Sequence, residues 1–305
     1  MKDLMSLSLN KTVLLITGPT AVGKTKLCIQ FAKEYHTEII SADSRQFYKE
    51  LKIGTAAPTS QELKEVKHHF IGNISIHDYY NVSIYEQQAV ACAENVFKKH
   101  DIVLLTGGSG LYIDTFCKGI DELPDPNPET RLKLKEIYTE QGIEALRFKL
   151  KSIDPEYYAI ADLANPKRIM RALEVYLTTG IKYSELRKNT SKKRNFNIVK
   201  IGLNRERDEL FERINQRVDE MFEQGLLEEA KKYYPLRHLN ALNTVGYKEL
   251  FEYFDGTISL EHAIENIKTN TRRYAKRQLT WFKKDKELKW FHPDDEKILH
   301  FLNFS

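Results

Sequence analysis

Val13-Leu14-Leu15-Ile16-Thr17 is an unbroken apolar run that ends at Gly18, the pattern of a strand buried on both faces. Leu27, Ile29, Phe31 and Ala32 then recur in a helix-compatible segment, and Glu38-Ile39-Ile40-Ser41-Ala42-Asp43 reads as a second short strand. Lys52 to Pro58, with Gly54, Thr55, Ala56 and Pro58, has loop chemistry, 61–67 is helix-like, and His68-His69 beside Phe70 and Ile71 suggests a third strand or its entry. Residues 84–100 form a helical run, and Asp101-Ile102-Val103-Leu104-Leu105-Thr106 is a buried strand running into Gly107-Gly108-Ser109-Gly110. Strands that alternate with helices predict an α/β fold with a parallel sheet.

The texture changes at Leu123. Pro124, Pro126 and Pro128 make an extended linker, and 130–187 is helical, broken near Asp154-Pro155 and Asn165-Pro166. That insertion ends in the basic stretch 187–194, after which 196–203 resumes as a strand. The expected division is 1–122 and 196–305 for the sheet-bearing core, with 123–195 inserted. Beyond it, 207–232 reads as one long helix carrying Arg213 and Arg217 at i,i+4 on one face. Asn243 to Lys248 reads as a loop opening a helix. In 269–284, Tyr274, Ala275, Gln278, Trp281 and Phe282 share a stripe flanked by Arg272, Arg273, Lys276, Arg277, Lys283 and Lys284. The stripe reads as core, and the basic face needs an acidic partner.

With 305 residues the chain can bury a large core and form two domains. The net charge is +4, but 123–195 holds 15 Lys/Arg against 10 Asp/Glu, so the basic excess sits in the insertion. Cys28, Cys92 and Cys117 lack C-x-x-C spacing and read as core thiols of a reducing compartment. No apolar run reaches membrane-spanning length, and 1–10 lacks the apolar centre of a secretory signal. A cytoplasmic protein without membrane association is expected.

The chemistry concentrates where the first strand ends. Gly18-Pro19-Thr20-Ala21-Val22-Gly23-Lys24-Thr25 is G-x-x-x-x-G-K-T between a strand and a helix, the context of a phosphate-binding loop. Gly18 and Gly23 let backbone N–H groups turn inward, the next helix offers its positive end, and Lys24 adds a point charge. Thr25 supplies a hydroxyl for the Mg²⁺ that a di- or triphosphate carries. Hydrolases, kinases and group transferases all use such loops. Here the strand 102–106 ends in glycines, where a hydrolase would place a metal-binding acid, and the acid stands instead at Asp43 in the polar cluster Ser41, Asp43, Ser44, Arg45, Gln46. Asp43 could take a proton from a nucleophile, bind metal through water, or cap a turn. The second glycine turn could contact substrate or only turn the chain. For His68-His69, packing and hydrogen bonding are favoured over metal. Basic residues interleaved with aromatics suit RNA. An ATP-using small-molecule kinase and a nucleotide-regulated RNA-binding protein remain as rivals.

Taken with Ile40-Ser41-Ala42-Asp43-Ser44-Arg45-Gln46, Ile53-Gly54-Thr55-Ala56-Ala57-Pro58, Gly107-Gly108-Ser109-Gly110-Leu111-Tyr112, Arg171-Ala172-Leu173-Glu174, Val245-Gly246-Tyr247-Lys248-Glu249-Leu250 and Ala275-Lys276-Arg277-Gln278-Leu279-Thr280-Trp281, the phosphate loop stands in the order seen in tRNA dimethylallyltransferases. The chain resembles that family over nearly its whole length, and it lacks the zinc-finger extension of the eukaryotic members, so the likeness is to the bacterial type. The resemblance implies a P-loop NTPase-like parallel sheet flanked by helices, with an inserted all-helical domain that binds tRNA. It implies transfer of a dimethylallyl group from its diphosphate to the exocyclic N6 amine of the adenosine 3′ of the anticodon, in a tRNA anticodon stem-loop. By that likeness Asp43 is the general base. Thr20, Lys24 and Arg217 hold the diphosphate with the rest of the loop, Thr25 supports Mg²⁺, and Lys24 and Arg217 assist departure. Asp43, Ser44, Arg45, Gln46 and Ser109, with Lys167, Arg168, Ile169, Met170 and Arg171, would contact tRNA. A monomer is expected. Ser109 stands where the family usually has threonine, which keeps the hydroxyl, and Gly72-Asn73 follows the histidines where an aspartate is common, so no site is assigned there.

Overall fold

The computed structural model of the chain describes residues 11–188 and 191–303. The reading of 1–10 lies outside them, as do Asn189 and Thr190 of the basic stretch. The chain divides into two compact units, one of 1–117 with 194–305 and one of 118–193.

Six parallel strands build the larger unit: β1 (Thr12–Thr17), β2 (Ile39–Ser41), β3 (His68–His69), β4 (Ile102–Gly107), β5 (Asn197–Leu203) and β6 (Lys289–Phe291), in the order β3-β2-β4-β1-β5-β6. Alternation along β1 sends Val13 and Leu15 to one face and Leu14 and Ile16 to the other. The first pair packs with Tyr85, Ala89, Phe116 and Phe282, and the second with Leu27, Phe31, Leu210 and Ile214. Helices therefore cover both faces, as an all-parallel sheet requires. Cys28 and Cys117 are buried and Cys92 is half-buried.

The stretch 207–232 is not one helix. It is Arg207–Glu223 and Leu226–Tyr233, divided at Gly225, whose φ of 98° suits glycine and ends the first helix. The basic helix runs Leu260–Phe282, beginning nine residues before the expected 269 because Ser259 caps it by accepting the His262 N–H. Strand β6 carries no alternation long enough to show in the sequence, and pairing with β5 creates it.

The 118–193 unit is helical: Pro128–Ile153, Pro155–Ile160, Pro166–Thr179 and Tyr183–Leu186. Asn127, Asp154 and Asn165 each accept the N–H three residues on, and each precedes a proline at the first helical position. These Asx-Pro pairs are why the helices break where the sequence says. Leu134, Leu146, Leu150, Tyr157, Ile169, Ala172 and Leu173 form its own core.

Candidate active site at the carboxyl edge of the sheet

Three strands deliver the chemistry to one edge. β1 ends in the phosphate loop, β4 in the glycine turn and β2 in the Asp43 segment, and since β4 lies between β1 and β2 the glycine turn separates the other two. Gly18, with φ of 151°, passes so close to β5 that a Cβ would sit 2.4 Å from the Leu203 carbonyl oxygen.

Cations hydrogen-bond the carbonyls of the phosphate loop. Lys24 Nζ donates to the Gly18 and Pro19 carbonyls at 2.9 and 2.8 Å, Arg213 Nε to Ala21 at 3.0 Å, and Arg205 Nε to Val22 at 2.9 Å. In a trans peptide the carbonyl and the following N–H point opposite ways, so these bonds fix the orientation of the amides of the loop. Arg217 Nη1 approaches the Thr20 hydroxyl at 3.4 Å. The crowding of cations has an electrostatic cost. Burial, and then the Arg217 guanidinium, lower the Lys24 ammonium from 10.5 to about 8, while Asp43 pulls the other way. Arg217 is lowered by burial and then by Arg213. Such a cradle favours a polyanion. Thr25 stands in the first turn of the helix Lys24–Glu34, where its hydroxyl could reach a phosphate-bound ion.

Asp43 is half-buried. One carboxylate oxygen accepts the Arg45 N–H at 3.0 Å, an Asx turn that fixes the side chain. Ser109 Oγ accepts the Ser44 N–H at 2.9 Å and donates to Ser44 Oγ at 3.1 Å, which locks the glycine turn to the Asp43 segment. Tyr274 adjoins both: burial and then the Asp43 charge raise its phenol above its ordinary value, while a hydrogen bond with Ser109 opposes the rise.

The structure gives several expected tRNA-contacting residues structural work. Arg45 spends its guanidinium on the carbonyls of Asn240 (3.0 Å), Ala241 (3.2 Å) and Asn243 (3.4 Å). Gln46 Nε2 donates to the carbonyls of Thr55 and Ala56 at 3.2 and 2.9 Å. In the helical unit Ile169 is fully buried in the core, because its place on Pro166–Thr179 faces Leu146 and Leu150, so its side chain cannot touch RNA. Arg171 bonds Glu174 at 2.8 Å and the Pro124 carbonyl, and Met170 is half-buried; Lys167 and Arg168 are exposed. On the basic helix Arg272 finds partners within its own unit, Asn215 at 2.6 Å, Thr269 at 2.8 Å and Glu265 at 3.1 Å. His68 Nδ1 lies 2.8 Å from the Val66 carbonyl and His69 Nε2 2.5 Å from Glu38, so both histidines are hydrogen-bonded.

Three residues beyond those expected from the sequence belong to the site. Arg213 was visible as the i,i+4 partner of Arg217. Arg205 and Gln278 reach the loop from 183 and 258 residues away in the chain; no local signal marks Arg205, and the sequence shows Gln278 only as part of the stripe and motif of the basic helix, without a role.

A family model described as IPP transferase matches residues 46–285, a range that begins after the phosphate loop. The chain is 51% identical over 295 residues to tRNA dimethylallyltransferase 1 of Bacteroides thetaiotaomicron, covering 96% of each, and 52% identical over 296 residues to that of Bacteroides fragilis, covering 97% of this chain and 98% of the relative. Among solved structures, a tRNA isopentenylpyrophosphate transferase from Bacillus halodurans is similar with a TM-score of 0.70 and 38% identity, over 96% of this chain and 95% of that one. A eukaryotic dimethylallyltransferase acting on tRNA is similar with a TM-score of 0.75 and 28% identity, over 94% of this chain and 75% of that one.

Proposed function

The chain belongs to the IPP transferase family, whose relatives at about half identity are tRNA dimethylallyltransferases, and from that premise we propose the reaction its sheet edge carries out. As a tRNA prenyltransferase it takes a dimethylallyl group from dimethylallyl diphosphate to the N6 amine of the adenosine 3′ of the anticodon. The N6 lone pair forms a bond to the allylic C1, the C1–O bond breaks, and its electron pair leaves with the diphosphate. The amine proton passes to the Asp43 carboxylate.

The adenine amine is a weak nucleophile because its lone pair is delocalised into the ring, so the rate depends on making C1 electrophilic. Lys24 and Arg217, with the amides of the phosphate loop, stabilise the charge that grows on the departing diphosphate. Thr25 would hold Mg²⁺, which when bound adds positive charge at the phosphates. A single hydroxyl donor, that of Thr25, fits an ion held mostly by phosphate oxygens and water. The target base must leave its stack to reach Asp43. Exposed Lys167 and Arg168, in the helical unit, offer charge to the tRNA backbone.

The single observation that carries this reading is the juxtaposition of a cation-lined phosphate loop with a fixed carboxylate across one glycine turn. Nucleoside mass spectrometry tests it, on unmodified tRNA incubated with the protein, Mg²⁺ and dimethylallyl diphosphate, with ATP replacing the donor in a parallel tube. An isopentenyl-sized mass gain on adenosine, only with the allylic donor, is expected. Asp43→Ala should abolish the gain and leave tRNA binding within a few-fold. Wild-type transfer by that variant would refute the base.

A further inference from the structure

We propose that Gln278 is a positioning residue for the transfer step, its side-chain amide holding the diphosphate cradle and the Asp43 segment in one fixed arrangement. The inference rests on the reaction proposed above. Gln278 lies on the helix Leu260–Phe282, outside the sheet, and is 5% exposed. Its Oε1 accepts the Thr20 N–H at 2.9 Å, and its Nε2 donates to the Gly108 carbonyl at 2.8 Å. One planar group thus joins the loop after β1 to the turn after β4.

Each side of that bridge leads to a reacting group. Thr20 carries the hydroxyl that Arg217 approaches, so the loop side continues into the charge that receives the diphosphate. On the turn side the backbones are in direct contact: a Cβ on Gly107 would lie 2.2 Å from the Ala42 carbonyl oxygen, and the Ser109 N–H donates to that oxygen at 3.2 Å. Ala42 is the residue before Asp43. A Cβ on Gly108 would fall 2.3 Å from Gln278 Nε2 and 3.7 Å from Asp43 Oδ2, so the amide, the turn and the carboxylate occupy one tightly packed spot. A shift of the glycine turn therefore carries Asp43 with it.

The chemistry of the two partners selects the residue type. The Thr20 N–H can only donate and the Gly108 carbonyl can only accept, so the bridging group needs an acceptor and a donor at one planar end. Glutamine has both at this length, a carboxylate lacks the donor, and a lysine lacks the acceptor. Adjacent strands are about 4.8 Å apart, so two strand steps set the β1 and β2 ends roughly 10 Å from each other. The attacking nitrogen must be held at Asp43 while the allylic carbon is held by its diphosphate. Misplacing one against the other slows the step without weakening the binding of either substrate.

Two variants of the full chain, assayed with Mg²⁺, tRNA and dimethylallyl diphosphate, test this. Gln278→Met keeps the volume and makes neither hydrogen bond. Gln278→Glu keeps the acceptor and sets an oxygen against the Gly108 carbonyl, and protonation of the introduced carboxyl at lower pH restores a donor. Near neutral pH both are expected to lose about tenfold or more in kcat, with KM for donor and for tRNA each within about threefold. As pH falls, the ratio of kcat to wild type should rise for Gln278→Glu and stay flat for Gln278→Met, a difference that a packing defect would not produce. If Gln278→Met does not fold, the pH response of Gln278→Glu carries the test. Wild-type kcat in either variant, a loss residing wholly in KM for the donor, or a flat ratio for Gln278→Glu would overturn the inference. Absence of prenyl transfer by the wild-type protein would instead overturn the reaction on which it rests.

Discussion

Raising the pH should empty the diphosphate cradle of affinity well before an ordinary lysine would deprotonate. Burial and the nearby Arg217 bring Lys24 from 10.5 down to about 8, which is ~3 kcal/mol against its charged form. A diphosphate favours that charged form, so it binds the protonated loop better, and donor affinity should fall as pH rises through the free-protein value. With that value near 8, about one molecule in eleven keeps the ammonium at pH 9, so the dissociation constant should rise about tenfold between pH 7 and 9, or ~1.4 kcal/mol. Isothermal titration calorimetry of dimethylallyl diphosphate with Mg²⁺ into the tRNA-free protein measures this directly, because no acceptor is present to react. Donor binding near pH 8 should also take up protons, visible as a dependence of the heat on buffer ionisation enthalpy. Lys24→Arg, whose guanidinium does not titrate in this range, should bind with less pH dependence. Affinity that is flat from pH 7 to 9 in the wild type, or the same decline in Lys24→Arg, would show that the Lys24 charge is not the source.

Two further perturbations probe the edge around it. Gly107→Ala would drive a Cβ to 2.2 Å from the Ala42 carbonyl oxygen, so the backbone must move; we expect about 1–3 kcal/mol less stability in urea unfolding and a loss of kcat larger than the loss of folded protein explains. Arg45→Met removes the bonds to the carbonyls of Asn240, Ala241 and Asn243, and should cost about 1–3 kcal/mol of unfolding free energy by the same measurement, whereas an arginine serving only tRNA phosphates would leave stability unchanged.

Much of this protein was determined by the sequence itself. The run Val13 to Thr17, the G-x-x-x-x-G-K-T loop and the Asx-Pro pairs at 154–155 and 165–166 each hold their information within a few residues, because strand burial, anion-binding turns and helix caps are local physics. Arg213 and Arg217 were paired by helical spacing alone. The residues alone left Asp43 open as base, metal ligand or turn cap; the resemblance selected the base as the expected role and added an expected diphosphate contact for Arg217.

Tertiary structure decided what the remaining polar groups do. Arg45 and Gln46 look like surface residues beside Asp43, yet loops folded against them claim their donors. Gly225 divides a helix that composition alone would continue, since only the fold shows its positive φ. β6 exists because β5 offers it an edge, and Gln278 and Arg205 gain meaning only when the chain brings them to a loop more than 180 residues away. A periodic pattern predicts which face of an element is buried. It does not contain the identity of the backbone atoms waiting there, and for a buried polar side chain those atoms are what fix its role.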